Sequence, residues 1–118
     1  MNKKRLAGIE KEITKVVSKA LFEEIKNPKI KKAMVSMTSV RVTEDLKFAD
    51  LFFSIMPIEG KHFNKNEVLE GLNEVKGFLR KRVSDELALR YTPEMRIKLD
   101  DTIEHAIKIT QLLNTLKG

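Results

Sequence analysis

The sequence predicts an α+β domain, with helices laid on one face of a three-stranded mixed sheet, and three observations carry that prediction. Apolar residues recur at three- and four-residue spacing in long stretches near the start, the middle and the end of the chain, as they do in helices with one buried face. Three shorter stretches between them are rich in Val, Met, Phe and Ile and alternate in polarity, as half-buried strands do. The chain has 118 residues, 42% of them apolar, which suffices for one core and is too little for two. Residues 1–118 are therefore expected to form a single domain, with elements in the order α-β-β-α-α-β-α.

The first helix places Leu6, Ile9, Ile13, Val16, Val17, Ala20 and Leu21 on one face over about six turns, and Pro28 is expected to end it. Ala33–Thr43 reads as a strand in which the apolar parity changes, from Val35 and Met37 to Val40 and Val42. A bulge near Thr38-Ser39 would return both pairs to one face; a strand buried on both faces is the alternative. The short polar connection Glu44–Lys47 implies an antiparallel hairpin into a second strand with Ala49, Leu51, Phe53 and Ile55 facing inward. After a loop, Asn64 or Asn66 can cap a helix with Glu67 in its first turn and Val68, Leu72, Val75, Leu79 and Val83 along its buried face. Gly77 divides that stretch. Pro93 breaks the chain, Met95, Ile97 and Leu99 alternate as a short third strand, and Asp101-Thr102-Ile103-Glu104 offers a cap for a last helix. That helix carries Ile103, Ala106, Ile107, Thr110, Leu113 and Leu116 at helical spacing.

Composition excludes several functions. With no Cys there are no disulfides, thiolate nucleophiles or sulfur-ligated metals, and a reducing cytoplasm is the expected compartment. The two histidines, His62 and His105, stand far apart without other ligands beside them, so neither a metal site nor a histidine acid/base pair is expected. Gly71 and Gly77 match no phosphate-cradling pattern, and the carboxylates are interspersed with lysines along the helices as solvated pairs. No catalytic residue and no cofactor are assigned. The basic start is interrupted by Glu10, Lys11 and Glu12 before any signal-like apolar run, and the longest nearly apolar run, Leu51–Ile58, is too short to span a bilayer. No membrane is expected as a partner.

The formal charge of +6 favours a polyanionic partner if the cations cluster. Lys4, Lys11, Lys15 and Lys19 form a stripe opposite the apolar face of the first helix, which alone is the solvated back of an amphipathic helix. Lys76, Arg80, Lys81 and Arg82 surround Gly77. A glycine inside a helix costs about 1 kcal/mol relative to alanine and needs a reason. It can accommodate a neighbouring element, or it can kink the helix and expose backbone N–H groups to phosphate. Phe48, Phe52 and Tyr91 could stack on bases, although covering the sheet face or a loop is the favoured reading for them.

The segments Asn27-Pro28-Lys29-Ile30, Val42-Thr43-Glu44-Asp45-Leu46-Lys47-Phe48-Ala49-Asp50-Leu51-Phe52-Phe53-Ser54, Arg90-Tyr91-Thr92-Pro93-Glu94-Met95 and Asp100-Asp101-Thr102-Ile103-Glu104, in that order and spacing, resemble the ribosome-binding factor A family from about Arg5 to Leu116. The resemblance implies a type II KH-like fold in which a helix-kink-helix marked by Ala-x-Gly replaces the usual GxxG loop. The corresponding residues are Val75-Lys76-Gly77, which keep the glycine and lack the alanine. It also implies a monomeric, non-enzymatic maturation factor that binds the free small ribosomal subunit through its ribosomal RNA. Late rRNA processing, subunit assembly and growth in the cold come with that role. The expected RNA-binding residues are Lys76, Gly77, Arg80, Lys81 and Arg82, with Lys4, Lys11, Lys15 and Lys19 as a weaker second patch. The alternative is a protein-interaction module that contacts ribosomal proteins or a maturation GTPase.

Overall fold

The computed structural model describes residues 2–117, with the side chains of residues 103, 104 and 115–117 outside the description. The order of elements is α1 (Lys3–Glu23), α2 (Pro28–Lys31), β1 (Met34–Val42), β2 (Phe48–Met56), α3 (Lys65–Glu86), β3 (Glu94–Leu99) and α4 (Thr102–Lys117). The sheet is ordered β1-β2-β3, with β1 antiparallel and β3 parallel to the central β2. The parallel pair follows from the chain's route, since β2 returns to the sheet at β3 only after crossing it as α3.

Apolar spacing places the helices. Leu6, Ile9, Ile13, Val17 and Ala20 of α1, and Val68, Leu72, Leu79 and Val83 of α3, are buried against Ala49, Leu51, Phe53 and Ile55 of β2 and Met95 of β3. Asn64 caps α3, its side chain accepting from the Asn66 N–H at 2.8 Å, and Glu67 lies in the first turn as expected. The parity change in β1 is a bulge: Met37 pairs with Phe53 and Ser39 with Phe52, which leaves Thr38 as the extra residue. Val35, Met37, Val40 and Val42 thereby reach the same face. The Thr38 hydroxyl donates to the Asp100 carboxylate at 2.7 Å, so the bulge also ties β1 to the end of β3.

Three expectations differ from the structure. The first helix ends at Glu23, and Pro28, lacking an N–H, instead starts α2 behind an Asn27 cap whose side chain accepts from the Lys29 N–H at 2.9 Å. The break at Gly77 is not made. α3 runs as one helix from Lys65 to Glu86, and among the described residues Gly60 is the glycine with positive φ. The N–H groups following Gly77 therefore stay inside the helix and are not freed for phosphate. Finally, α4 stands away from the sheet. All its described side chains are exposed, Ile109 and Leu112 among them. The radius of gyration is correspondingly 16.2 Å, against about 13 to 14 Å for a compact chain of this length. Of the apolar positions expected on that helix, Ile103 and Leu116 lie outside the described side chains, as does the expected capping acid Glu104. The Thr102 N–H is accepted by Asp100 at 3.0 Å.

Candidate nucleic-acid interface

The cations sort into those that hold the fold together and those that face solvent without an acid. α2 is clamped to α3 by Lys29, which bridges Glu70 at 2.9 Å and also pairs with Glu74, and by Lys32 with Glu67 at 2.7 Å. The Glu74 hydrogen bond, followed by that of Glu70, raises the Lys29 pKa above the usual lysine range, and the Lys29 bond lowers that of Glu74. Gly71 permits this packing. A Cβ there would lie 2.9 Å from the Lys29 Cβ and 3.1 Å from both the Asn27 Oδ1 and the Ile30 Cγ1. On the open face of the sheet, the Arg96 guanidinium lies 4.3 Å from the Phe48 ring centroid and bridges Asp50, the hydrogen bond to which raises its pKa.

Arg82 belongs to this structural group. It faces Glu24 at 3.2 Å and Glu86 at 3.1 Å with its side chain 28% exposed, joining the end of α1 to the end of α3. That pairing argues against its expected use as a phosphate contact. Its two acids already neutralise it, and it lies on the flank of α3 turned toward α1, beside Lys15 and Lys19.

The other flank of α3 is different. Gly77, Arg80, Lys81 and Ser84 line a cleft of about 460 Å³ whose far wall is Arg90, Tyr91 and Thr92 of the α3–β3 loop. Past Arg80 and Tyr91 it continues into a second cleft of about 660 Å³, bounded by the β1–β2 turn and by Arg5 of α1. Three constraints hold these walls together. An Arg80 Nη donates to the Thr92 carbonyl at 2.9 Å, the Leu87 N–H to the Val83 carbonyl at 2.9 Å, and the Glu94 N–H to the Lys47 carbonyl at 2.8 Å. The turn is locked by Asp45, which accepts from the Thr43 hydroxyl at 2.7 Å and from the Lys47 N–H at 3.1 Å. Those two bonds, the hydroxyl first, lower its pKa.

Five cations line the two clefts, Arg5, Lys47, Arg80, Lys81 and Arg90, against the two carboxylates Asp45 and Glu94. None of the five forms an ion pair with a described residue. A concave surface on which cations outnumber carboxylates can release counterions when it meets phosphates. At Gly77 a Cβ would meet nothing within 4 Å, so the helix offers open backbone to the cleft.

Of the residues expected from sequence, Gly77, Arg80 and Lys81 are brought together here. Lys76 is exposed one step outside, and Lys4, Lys11, Lys15 and Lys19 lie along the solvent side of α1, Lys15 pairing with Glu12 at 3.5 Å. The stripe and the cleft are thus separate surfaces, and Arg5 is the α1 cation that reaches the cleft. Sequence reasoning missed Arg5, Lys47 and Arg90; Arg90 could have been found as a cation beside the sole tyrosine in a Pro-bounded loop. His105 pairs with Asp101 at 2.8 Å on the surface of α4. Among the described residues, no three His, Asp or Glu side chains converge as metal ligands, and no helix is long and apolar enough to cross a membrane.

The profile of the family described as Ribosome-binding factor A matches residues 5–113. A protein of that description from Fusobacterium nucleatum is 62% identical, over 99% of each chain, and one from Finegoldia magna is 39% identical over 98% of this chain and 93% of its own. Among solved structures, the solution structure of a Thermotoga maritima protein described as a ribosome binding factor A is similar with a TM-score of 0.68 and 31% identity, covering 82% of this chain and 88% of that one. The crystal structure of ribosome-binding factor A from Thermus thermophilus covers 80% of this chain and 93% of its own, with a TM-score of 0.66. A homology model of the same factor, fitted into the electron-microscopy map of its 30S complex, covers 80% and 94% with a TM-score of 0.62. At 13% identity the two Thermus comparisons show a shared fold, which is KH-like.

Proposed function

Because the chain belongs to the ribosome-binding factor A family, we propose that it is a non-enzymatic maturation factor that binds the free small ribosomal subunit through its ribosomal RNA. The observation that carries the reading is the unpaired cationic cleft between α3, the α3–β3 loop and the β1–β2 turn. Arg80 and Arg90 line both of its parts, Lys81 the smaller one, and Arg5 and Lys47 the larger. Folded RNA is recognised largely through phosphates and shape, which suits a fixed concave surface more than a set of base-specific arms. The Thermus factor fitted into a 30S complex supports the same partner. In this reading the protein acts in the cytoplasm as a monomer, in late rRNA processing and subunit assembly, and supports growth in the cold.

Sedimentation tests the reading. The protein is expected to travel with free small subunits and not with assembled ribosomes, and a Lys81→Ala, Arg90→Ala variant should lose most of that association while melting as the parent does. Cosedimentation unaffected by these changes would move the partner from RNA to ribosomal proteins or a maturation GTPase.

A further inference from the structure

The larger cleft has features that phosphate binding does not require. Its lining includes the half-buried Leu46, Phe48 and Leu89 and the exposed Ala88 beside its cations, so much of its wall is apolar. Its volume of about 660 Å³ is in the range of pockets that accommodate a small organic group. Tyr91 stands between the two clefts with 72% of its surface exposed, and the Arg90 guanidinium lies 5.5 Å from its ring centroid.

Leu46 adds an independent observation. Among the described residues it is the non-glycine residue with positive φ, at 61°, in the turn closed by its own N–H donating to the Thr43 carbonyl at 2.9 Å. Glycine or asparagine is the ordinary occupant of such a position, and another L side chain there is strained. The leucine side chain contributes to the wall of the cleft, and Asp45, its neighbour, locks the turn that holds it there. The same side chain also packs against the hydrophobic core, which holds the wall of the cleft in place.

Resting on the reading of this surface as an RNA interface, we propose that the cleft takes one extruded, unpaired nucleotide. The base enters the apolar part between Leu46, Phe48 and Leu89, Tyr91 stacks on it or on its neighbour, and Arg80 and Lys81 hold the adjoining phosphates. Asp45 and Glu94 at the rim accept from exocyclic amino groups, so bases that carry one are preferred. Each stacked base on an aromatic platform contributes on the order of 1 to 3 kcal/mol, a factor of roughly 5 to 150 in affinity.

Tyr91 is the only tyrosine and the chain has no tryptophan, so its intrinsic fluorescence reports this site alone. The probe is a hairpin RNA whose single-stranded loop contains all four bases, compared with the same hairpin carrying an abasic loop of equal length. The full chain should bind the base-bearing hairpin at least fivefold more tightly, with quenching of tyrosine emission that the abasic hairpin at saturation does not produce. Leu46→Gly suits the positive φ but removes a side chain packed against the core, so its melt is compared with the parent's. Where it is folded at the assay temperature it should abolish most of the difference between the two hairpins while leaving the salt dependence of binding unchanged, and Tyr91→Ala, at an exposed position, should abolish the difference as well. Lys81→Ala should do the reverse. Equal, salt-dependent binding of both hairpins without quenching overturns the nucleotide pocket and leaves the RNA interface standing. Failure of the parent protein to bind either hairpin overturns both.

Discussion

Replacing Gly77 by alanine separates two roles that a glycine inside α3 could have, and the structure fixes the expected sign of each. A Cβ at residue 77 would meet nothing within 4 Å, and the backbone there is helical. Alanine should therefore recover most of the helix propensity that glycine forgoes, about 1 kcal/mol. For a domain of this size that raises the melting temperature by roughly 3 to 6 °C. Gly71, two turns earlier, supplies the internal control. Its Cβ would press on Lys29, Asn27 and Ile30 at 2.9 to 3.1 Å, of which Ile30 is buried and Asn27 is held as the cap of α2. Overpacking costs about 1 to 3 kcal/mol and the cap is worth about 1 kcal/mol, so the same substitution there should lower the melting temperature despite the identical gain in propensity. Circular dichroism melts of both variants, read beside their affinity for free small subunits, complete the test. A stabilised Gly77→Ala protein that binds less well would show that the methyl group fills cleft space that RNA needs. A destabilised Gly77→Ala would refute the reasoning, because it would require a conformation or contact at residue 77 that the structure does not contain.

Other outcomes follow from the same geometry. Arg82→Ala should lower stability by unpairing Glu24 and Glu86 and leave the salt slope of RNA binding unchanged, whereas Lys81→Ala should lower that slope by roughly 0.7 to 0.9; a matching slope change in both would return Arg82 to the interface. The Thr102 and Thr38 hydroxyls, named in order of effect, hold the Asp100 carboxyl below its ordinary value of 3.8. A depressed carboxylate contributes stability above its unfolded pKa and loses it as pH falls through the folded one, so Asp100→Asn should narrow the stability gap between pH 7 and pH 3; an unchanged acid limb in urea melts taken across that range would discount the interaction. Removal of α4 after Asp101 should shift the melting temperature by no more than about 2 °C, because none of its described side chains is buried, and a larger drop in calorimetry would place hidden packing on that helix.

Much of the fold was legible in the sequence because burial imposes a period. The parity change between Met37 and Val40 predicted the bulge at Thr38, since a half-buried strand with a slipped alternation has few other ways to keep one face apolar. The same logic found the buried faces of α1, α3 and β2. It failed for α4, whose described apolar side chains have the correct spacing and stay exposed, because periodicity records a capacity to pack and not the presence of a partner. The extent of α3 was misread for a related reason. Glycine lowers helix propensity without forbidding a helix, and buried Leu79 and Val83 beyond Gly77 outweigh its cost of about 1 kcal/mol.

The interface was less legible because charge, unlike burial, has no period that distinguishes a binding cation from a structural one. Arg80, Lys81 and Arg82 are consecutive, and at about 100° per residue they point to three sides of α3. Arg82 turns toward α1, where Glu24, which precedes it by 58 positions in the numbering, completes its neutralisation. Arg80 turns toward the loop and spends one donor on the Thr92 carbonyl, which fixes the wall of the cleft while the rest of the fork remains exposed. Lys81 has neither constraint. One basic tripeptide therefore supplies a brace, a positioning group that also lines the site, and a free cation, a division set by tertiary neighbours distant in sequence. The same neighbours explain why Arg5, Lys47 and Arg90 converge on a cleft that no local pattern announces: the hairpin, the α3–β3 loop and the start of α1 meet there only once the sheet has been assembled.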